Sequence, residues 1–115
     1  MTGTRAILTS VCLDTLRGRE QTVMAESFND TDRAHYESRP LQSMAAALAA
    51  KRATIKLLGE PEGGGGLTER QVTVLHDASG KPHVSVERTG GSVMVSVSHT
   101  RSTAYALVCA QEEYR

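Results

Sequence analysis

The stretch from Arg39 to Gly59, RPLQSMAAALAAKRATIKLLG, constrains this chain more than any other. Pro40 suits a first helical turn, the alanines have the highest intrinsic helix propensity, and Gly59 is a natural residue just past a helix C-terminus. A long helix punctuated at both ends is therefore predicted here. At about 100° per residue, Leu41, Met44, Ala45, Leu48 and Ile55 fall on one face, with Arg52 near its middle. Lys56 follows one turn later, and two cations at i and i+4 repel each other unless an anion lies between them. Two readings stay open: both side chains snorkel past the edge of the core into water, or the buried side of the helix carries an anion site.

A chain of 115 residues is read as one domain with a single core. Three Tyr, one Phe and no Trp leave that core to Val, Leu, Ile, Met and Ala, so self-association would help its stability. Thirteen Lys and Arg balance thirteen Asp and Glu without a charge block, which argues against nucleic acid as a partner. Cys12 and Cys109 lie in apolar runs without metal-ligand spacing, and no apolar signal or membrane-spanning segment is seen. The reading is a reduced, cytoplasmic protein with no membrane partner. His35, His76, His83 and His99 never pair at zinc-ligand spacing.

In chain order, Arg5 to Leu13 reads as a largely buried first strand ended by Asp14. Thr22 to Ser27 is a short helix or a loop. In Phe28 to Tyr36, Asn29, Asp30 and Thr31 are candidate N-caps of a brief helix, with Phe28 and Tyr36 packed under the main helix. The run PEGGGG at 61 to 66 reads as a mobile loop, and it lacks the lysine and Ser/Thr that would make it a phosphate cradle. From Gln71 the apolar period becomes two. Val72 and Val74, the turn DASGKP at 77 to 82, and Val84 and Val86 form one hairpin. The turn TGG at 89 to 91 forms a second, leading to SVMVSVSH, where Val93, Val95 and Val97 oppose Met94, Ser96 and Ser98. HTRST and the strand AYALVCA close the pattern. The class is α+β: an N-terminal strand, a helical middle with one long helix, and a C-terminal antiparallel meander.

These segments resemble, in order and spacing, the holo-acyl-carrier-protein synthase type of 4′-phosphopantetheinyl transferase. AAKRATIKLLG resembles that family's A-A-K-E-A-x-x-K-A-L-G, DASGKP its D-x-x-G-K-P turn, VSVSHT its V-S-I-S-H-T, and AYALV its closing strand. Phe28 to Tyr36 is similar to the family's F-T-x-x-E segment. The resemblance implies a homotrimer that binds coenzyme A as co-substrate between protomers and moves phosphopantetheine to a serine of an acyl carrier protein. It implies catalytic roles for Lys56 and Asp14, and a coenzyme A site drawing on Lys51, Arg52, Gly80, Lys81, Pro82, Ser98 and His99. Mg²⁺ would be held by Asp14, the helix glutamate and the pyrophosphate.

At that glutamate this chain carries Arg52, a cation that cannot ligate metal. Setting the family's G-x-G-x-D on SVCLD keeps Asp14 as a ligand, whereas a register four residues shorter puts Ser10 there. Several of the other site residues also have a plain structural reading: Lys56 satisfying the helix dipole, His99 capping a strand end, and Gly80, Lys81 and Pro82 forming a tight turn. Two functions follow: a working transferase with an impaired Mg²⁺ site, or a non-catalytic relative keeping the trimeric scaffold. The resemblance also suggests that Arg52 occupies the metal's place and pairs with Asp14.

Overall fold

The computed structural model describes residues 3–58, 67–86 and 93–112. Strand β1 (Gly3–Cys12) leads through a 3-10 turn at Leu13–Thr15 to helices α1 (Glu20–Ser27), α2 (Asp30–Tyr36) and α3 (Leu41–Leu58). A 3-10 turn at Glu69–Gln71 then precedes strands β2 (Val72–His76), β3 (Pro82–Val86), β4 (Val93–His99) and β5 (Thr103–Glu112). Gly59, the glycine run at 61 to 66 and the turn at 89 to 91 lie outside the described residues.

The α+β architecture read from the sequence is present, with one change to the meander. The strands form two sheets, a three-stranded one in the order β1-β5-β4 and a two-stranded one of β2 and β3, with every described ladder antiparallel. β5 pairs along its length with β1, from Thr103 opposite Cys12 to Glu112 opposite Gly3, and so becomes the central strand. Among the described residues β3 and β4 form no ladder, so the second expected hairpin does not appear there.

β1 is not largely buried. Val11 faces the core, whereas Leu8 is 66% exposed and Ser10 and Cys12 are exposed beside it. The strand alternates, as one face of a sheet open on its other side requires. The same alternation runs through β5, where Ala104, Ala106 and Val108 are buried and Tyr105 and Leu107 face out, and through β4, where Val93, Val95 and Val97 turn in.

α3 packs on the inner face of this sheet. From Met44 to Ala50 every residue is buried, because alanine side chains let neighbouring backbone approach on several sides at once. Phe28 and Tyr36 are buried in the same core, their rings edge to face with centroids 5.7 Å apart. Asn29 accepts from the Asp32 backbone N–H (3.0 Å), and Asp32 accepts from that of Asn29 (2.8 Å), a reciprocal cap that starts α2.

That cap aims Asp32 inward, where it meets Lys51. Both side chains are fully buried, and Lys51 Nζ donates to Asp32 Oδ2 at 2.5 Å, to the Glu69 carbonyl at 3.2 Å and to the Val72 carbonyl. The same Asp32 oxygen also accepts from the Val74 N–H at 3.3 Å, while Oδ1 takes the Asn29 N–H of the cap. One ammonium thus ties α2, α3, the Glu69–Gln71 turn and β2 together. Burial pushes the Lys51 pKa down, and the Asp32 carboxylate acts against that shift. Lys51→Met is expected to destabilise the protein in urea unfolding by about 3–5 kcal/mol, because it strands a buried carboxylate; adding Asp32→Leu should recover part of that loss.

Candidate functional site

The candidate residues fall in three places. Arg52 and Lys56 form an exposed stripe on α3; Asp14, Ser98 and His99 lie at one end of the three-stranded sheet; Gly80, Lys81 and Pro82 lie in the β2–β3 connection.

Arg52 is not on a buried face. Its side chain is 44% exposed, and its Nε donates to Glu69 Oε2 at 2.9 Å. The helical wheel misplaces it because the cover over that face changes along α3. At Ala45 the face is sealed, whereas near the C-terminal end a polar turn stands opposite. The other Glu69 oxygen accepts from Ser27 Oγ at 2.5 Å, so the pair links α1 to α3. Lys51, expected near coenzyme A, is instead the sealed structural cation described above.

Asp14 is exposed in the turn after β1, and its Oδ1 accepts from Arg17 Nε at 2.9 Å. The Leu13 N–H donates to the Ser102 carbonyl (2.8 Å), which holds this turn against the β4–β5 connection. Asp14 and His99 therefore share one end of the sheet. The expected Arg52–Asp14 pair is replaced by Arg52–Glu69 and Asp14–Arg17. Among the described residues no three His, Cys, Asp or Glu side chains converge, and the acids nearest the candidate positions already hold arginines.

The β2–β3 turn is the tight hairpin that the sequence demands. Asp77 Oδ1 accepts from the Ser79 N–H and hydroxyl and from the Lys81 N–H (2.9, 2.6 and 3.0 Å), while Oδ2 takes His83 Nε2 at 2.9 Å. These donors hold the Asp77 carboxyl far below the usual carboxylate range, the Ser79 hydroxyl contributing most. Gly80 sits at φ 88°, a left-handed conformation that glycine adopts without strain. Beside this turn lies a cavity of about 420 Å³ lined by His35, Tyr36, Arg39, Ser43, His76, Asp77, Ala78 and Gly80. Sequence reasoning missed its histidines because they lie on separate elements. It also missed Glu69, for which Thr68 and Gln71, a capping pair around a short turn, were the available signal.

This arrangement of sheets and helices has close structural counterparts. The fold is that of the holo-acyl-carrier-protein synthases. It matches the Bacillus anthracis enzyme in complex with CoA (3′,5′-ADP) with a TM-score of 0.81 at 22% identity, covering 94% of this chain and 96% of that one. It matches the Helicobacter pylori enzyme in complex with coenzyme A with a TM-score of 0.75 at 16% identity, covering 92% and 99%. No family model matches the chain. In sequence, a holo-acyl-carrier-protein synthase from Clavibacter sepedonicus is 35% identical over 85 residues, 66% of this chain and 69% of that protein. One from Chlorobaculum tepidum is 43% identical over 70 residues, 59% of either protein. The chain thus spans under three fifths of the length of that relative in the match. It belongs to the holo-acyl-carrier-protein synthase family.

Arg52→Ala should cost no more than about 1 kcal/mol, the range of half-exposed ion pairs. A double-mutant cycle by chemical denaturation should find coupling between Arg52→Ala and Glu69→Gln, and additivity between Arg52→Ala and Asp14→Asn.

Proposed function

We propose that this protein transfers 4′-phosphopantetheine from coenzyme A to a serine of an acyl carrier protein. The observation that carries the reading is its kinship with the Clavibacter synthase over 69% of that protein's length, supported by a fold shared with coenzyme A complexes. In this reaction the carrier hydroxyl attacks the pantetheine-side phosphorus of the pyrophosphate, and the bond to 3′,5′-ADP breaks as the serine proton leaves. Arg52 and Lys56, exposed one turn apart on α3, supply two positive charges for the pyrophosphate. No step is assigned to Mg²⁺.

The reading includes assembly as a trimer. The outer face of the β1-β5-β4 sheet exposes Leu8 and Met94 at 66% each, Leu107 at 41% and Tyr105 at 36%. Burying such a face against symmetry mates explains its composition. It would also let candidate residues that lie apart in one protomer meet across a boundary. No helix among the described residues is long and apolar enough to cross a membrane.

A second reading, a non-catalytic scaffold, is favoured by one observation: both Asp14 and Glu69 are occupied by arginines. Incubation with coenzyme A and several apo carrier proteins, read by mass, decides between the two. A phosphopantetheine mass gain is expected; its absence with every carrier, beside an active control enzyme, supports the scaffold. Arg52→Glu sets a second carboxylate next to Glu69 and is expected to make turnover respond to added Mg²⁺. Light scattering should give three times the chain mass, and a monomer would remove the shared cleft.

A further inference from the structure

The cavity beside the β2–β3 turn contains a pair of histidines that neither the family resemblance nor the fold accounts for. His35 on α2 and His76 at the end of β2 are stacked, with ring centroids 5.0 Å apart and planes 22° apart. His35 Nε2 and His76 Nδ1 are 3.1 Å from each other, and the Tyr36 hydroxyl lies 3.2 Å from the same His76 nitrogen. Two imidazoles so placed can hold one added proton between them as an N–H⁺···N hydrogen bond, and that charge opposes a second.

The surroundings determine what such a proton would do. From α2 the pair faces Tyr36, whose hydroxyl is kept protonated by burial and by nearby Asp32. From the α2–α3 connection it faces Arg39, and from the first turn of α3 it faces Ser43. From the hairpin it faces Asp77 and His83, which are already paired with each other. Asp77, the acid lining the cavity, has both carboxylate oxygens engaged within its own turn. Among the described residues no carboxylate pairs with Arg39. The N-terminal turn of the 18-residue α3 adds a positive dipole end on the same side. One proton on the pair therefore turns a cavity with one cation into one with two and no free acid.

We propose that this cavity binds a dianionic phosphate monoester, and that binding is coupled to the uptake of one proton by His35 and His76. Arg39 and the Ser43 hydroxyl provide the constant part of the site, and the histidine pair provides the pH-dependent part. Burial first, then the neighbouring His35 and Arg39, push the His76 pKa below the ordinary histidine value against the opposing pull of Asp77, so an incoming dianion is what draws a proton onto that ring. Affinity accordingly rises as pH falls, approaching about tenfold per pH unit, and levels off once the site carries the proton before the anion arrives. Coenzyme A carries such a monoester at its 3′ position, so the inference rests on the function proposed above for the identity of the ligand.

The test uses sulfate, a dianion whose own charge does not change in this range, with calorimetry and imidazole NMR from about pH 8 to about pH 5.5. Expected are tighter binding at the acid end, close to one proton taken up per sulfate in buffers of different ionisation enthalpy, and shifts of the His35 and His76 resonances. His35→Gln and His76→Gln should each remove the pH slope while keeping the binding seen at pH 8, and Arg39→Ala should weaken binding throughout. A flat pH profile, or a slope that survives both glutamine variants, overturns the proposal. Coenzyme A and its 3′-dephospho form provide the second arm. Coenzyme A that binds with no pH-dependent preference over the dephospho form overturns the coupling but leaves the transferase reading intact. Sulfate binding with the full slope alongside no coenzyme A binding supports the site and removes the transferase reading.

Discussion

The buried ion pair between Lys51 and Asp32 is the contact on which the rest of the structure depends. Removing two charges from water costs several kcal/mol each, a cost offset only when every donor and acceptor is matched. Here the ammonium finds a carboxylate and two carbonyls, and the carboxylate finds two backbone N–H groups as well. The Phe28 ring, whose centroid lies 4.9 Å from Nζ, covers what remains. Satisfying all of these at once fixes where α2 caps, how α3 is rotated and where β2 begins.

Lys51 decides the fate of Arg52 as well. Adjacent residues on a helix are turned about 100° from one another, so sealing Lys51 inward directs Arg52 toward the surface. There it meets Glu69, on the same short turn whose backbone carbonyl accepts from Lys51. One turn thus serves an inner and an outer cation, the first through its main chain and the second through its side chain. The difference in exposure makes the inner pair costly to break and the outer one nearly free to exchange.

Much of the fold was legible in the sequence because it is written in period. The alternation in β4 was visible in its valines, the α2 cap in Asn29, and α3 in its alanines and Pro40. The orientation of α3 was not legible. A run buried on nearly all sides has no apolar stripe to locate, and a lysine in the core reads as polar until its partner is known. The candidate site was legible only as residue types. Its pairings, Arg52 with Glu69 and His35 with His76, join residues 17 and 41 positions apart, a separation at which local spacing carries no information.

The alanine run bears on how such a chain can diverge. Alanine has no side-chain torsion to adjust, so α3 and the sheet fit through the shapes of their backbones, and a larger residue between Ala45 and Ala50 would act as a wedge with no rotamer to relieve it. Glycine there would loosen the helix by about 1 kcal/mol. From Met44 to Leu57 the exposed positions are 52 and 56. Evolutionary drift along this helix is channelled to those two places, so a descendant can exchange its surface charges there while inheriting the scaffold unaltered.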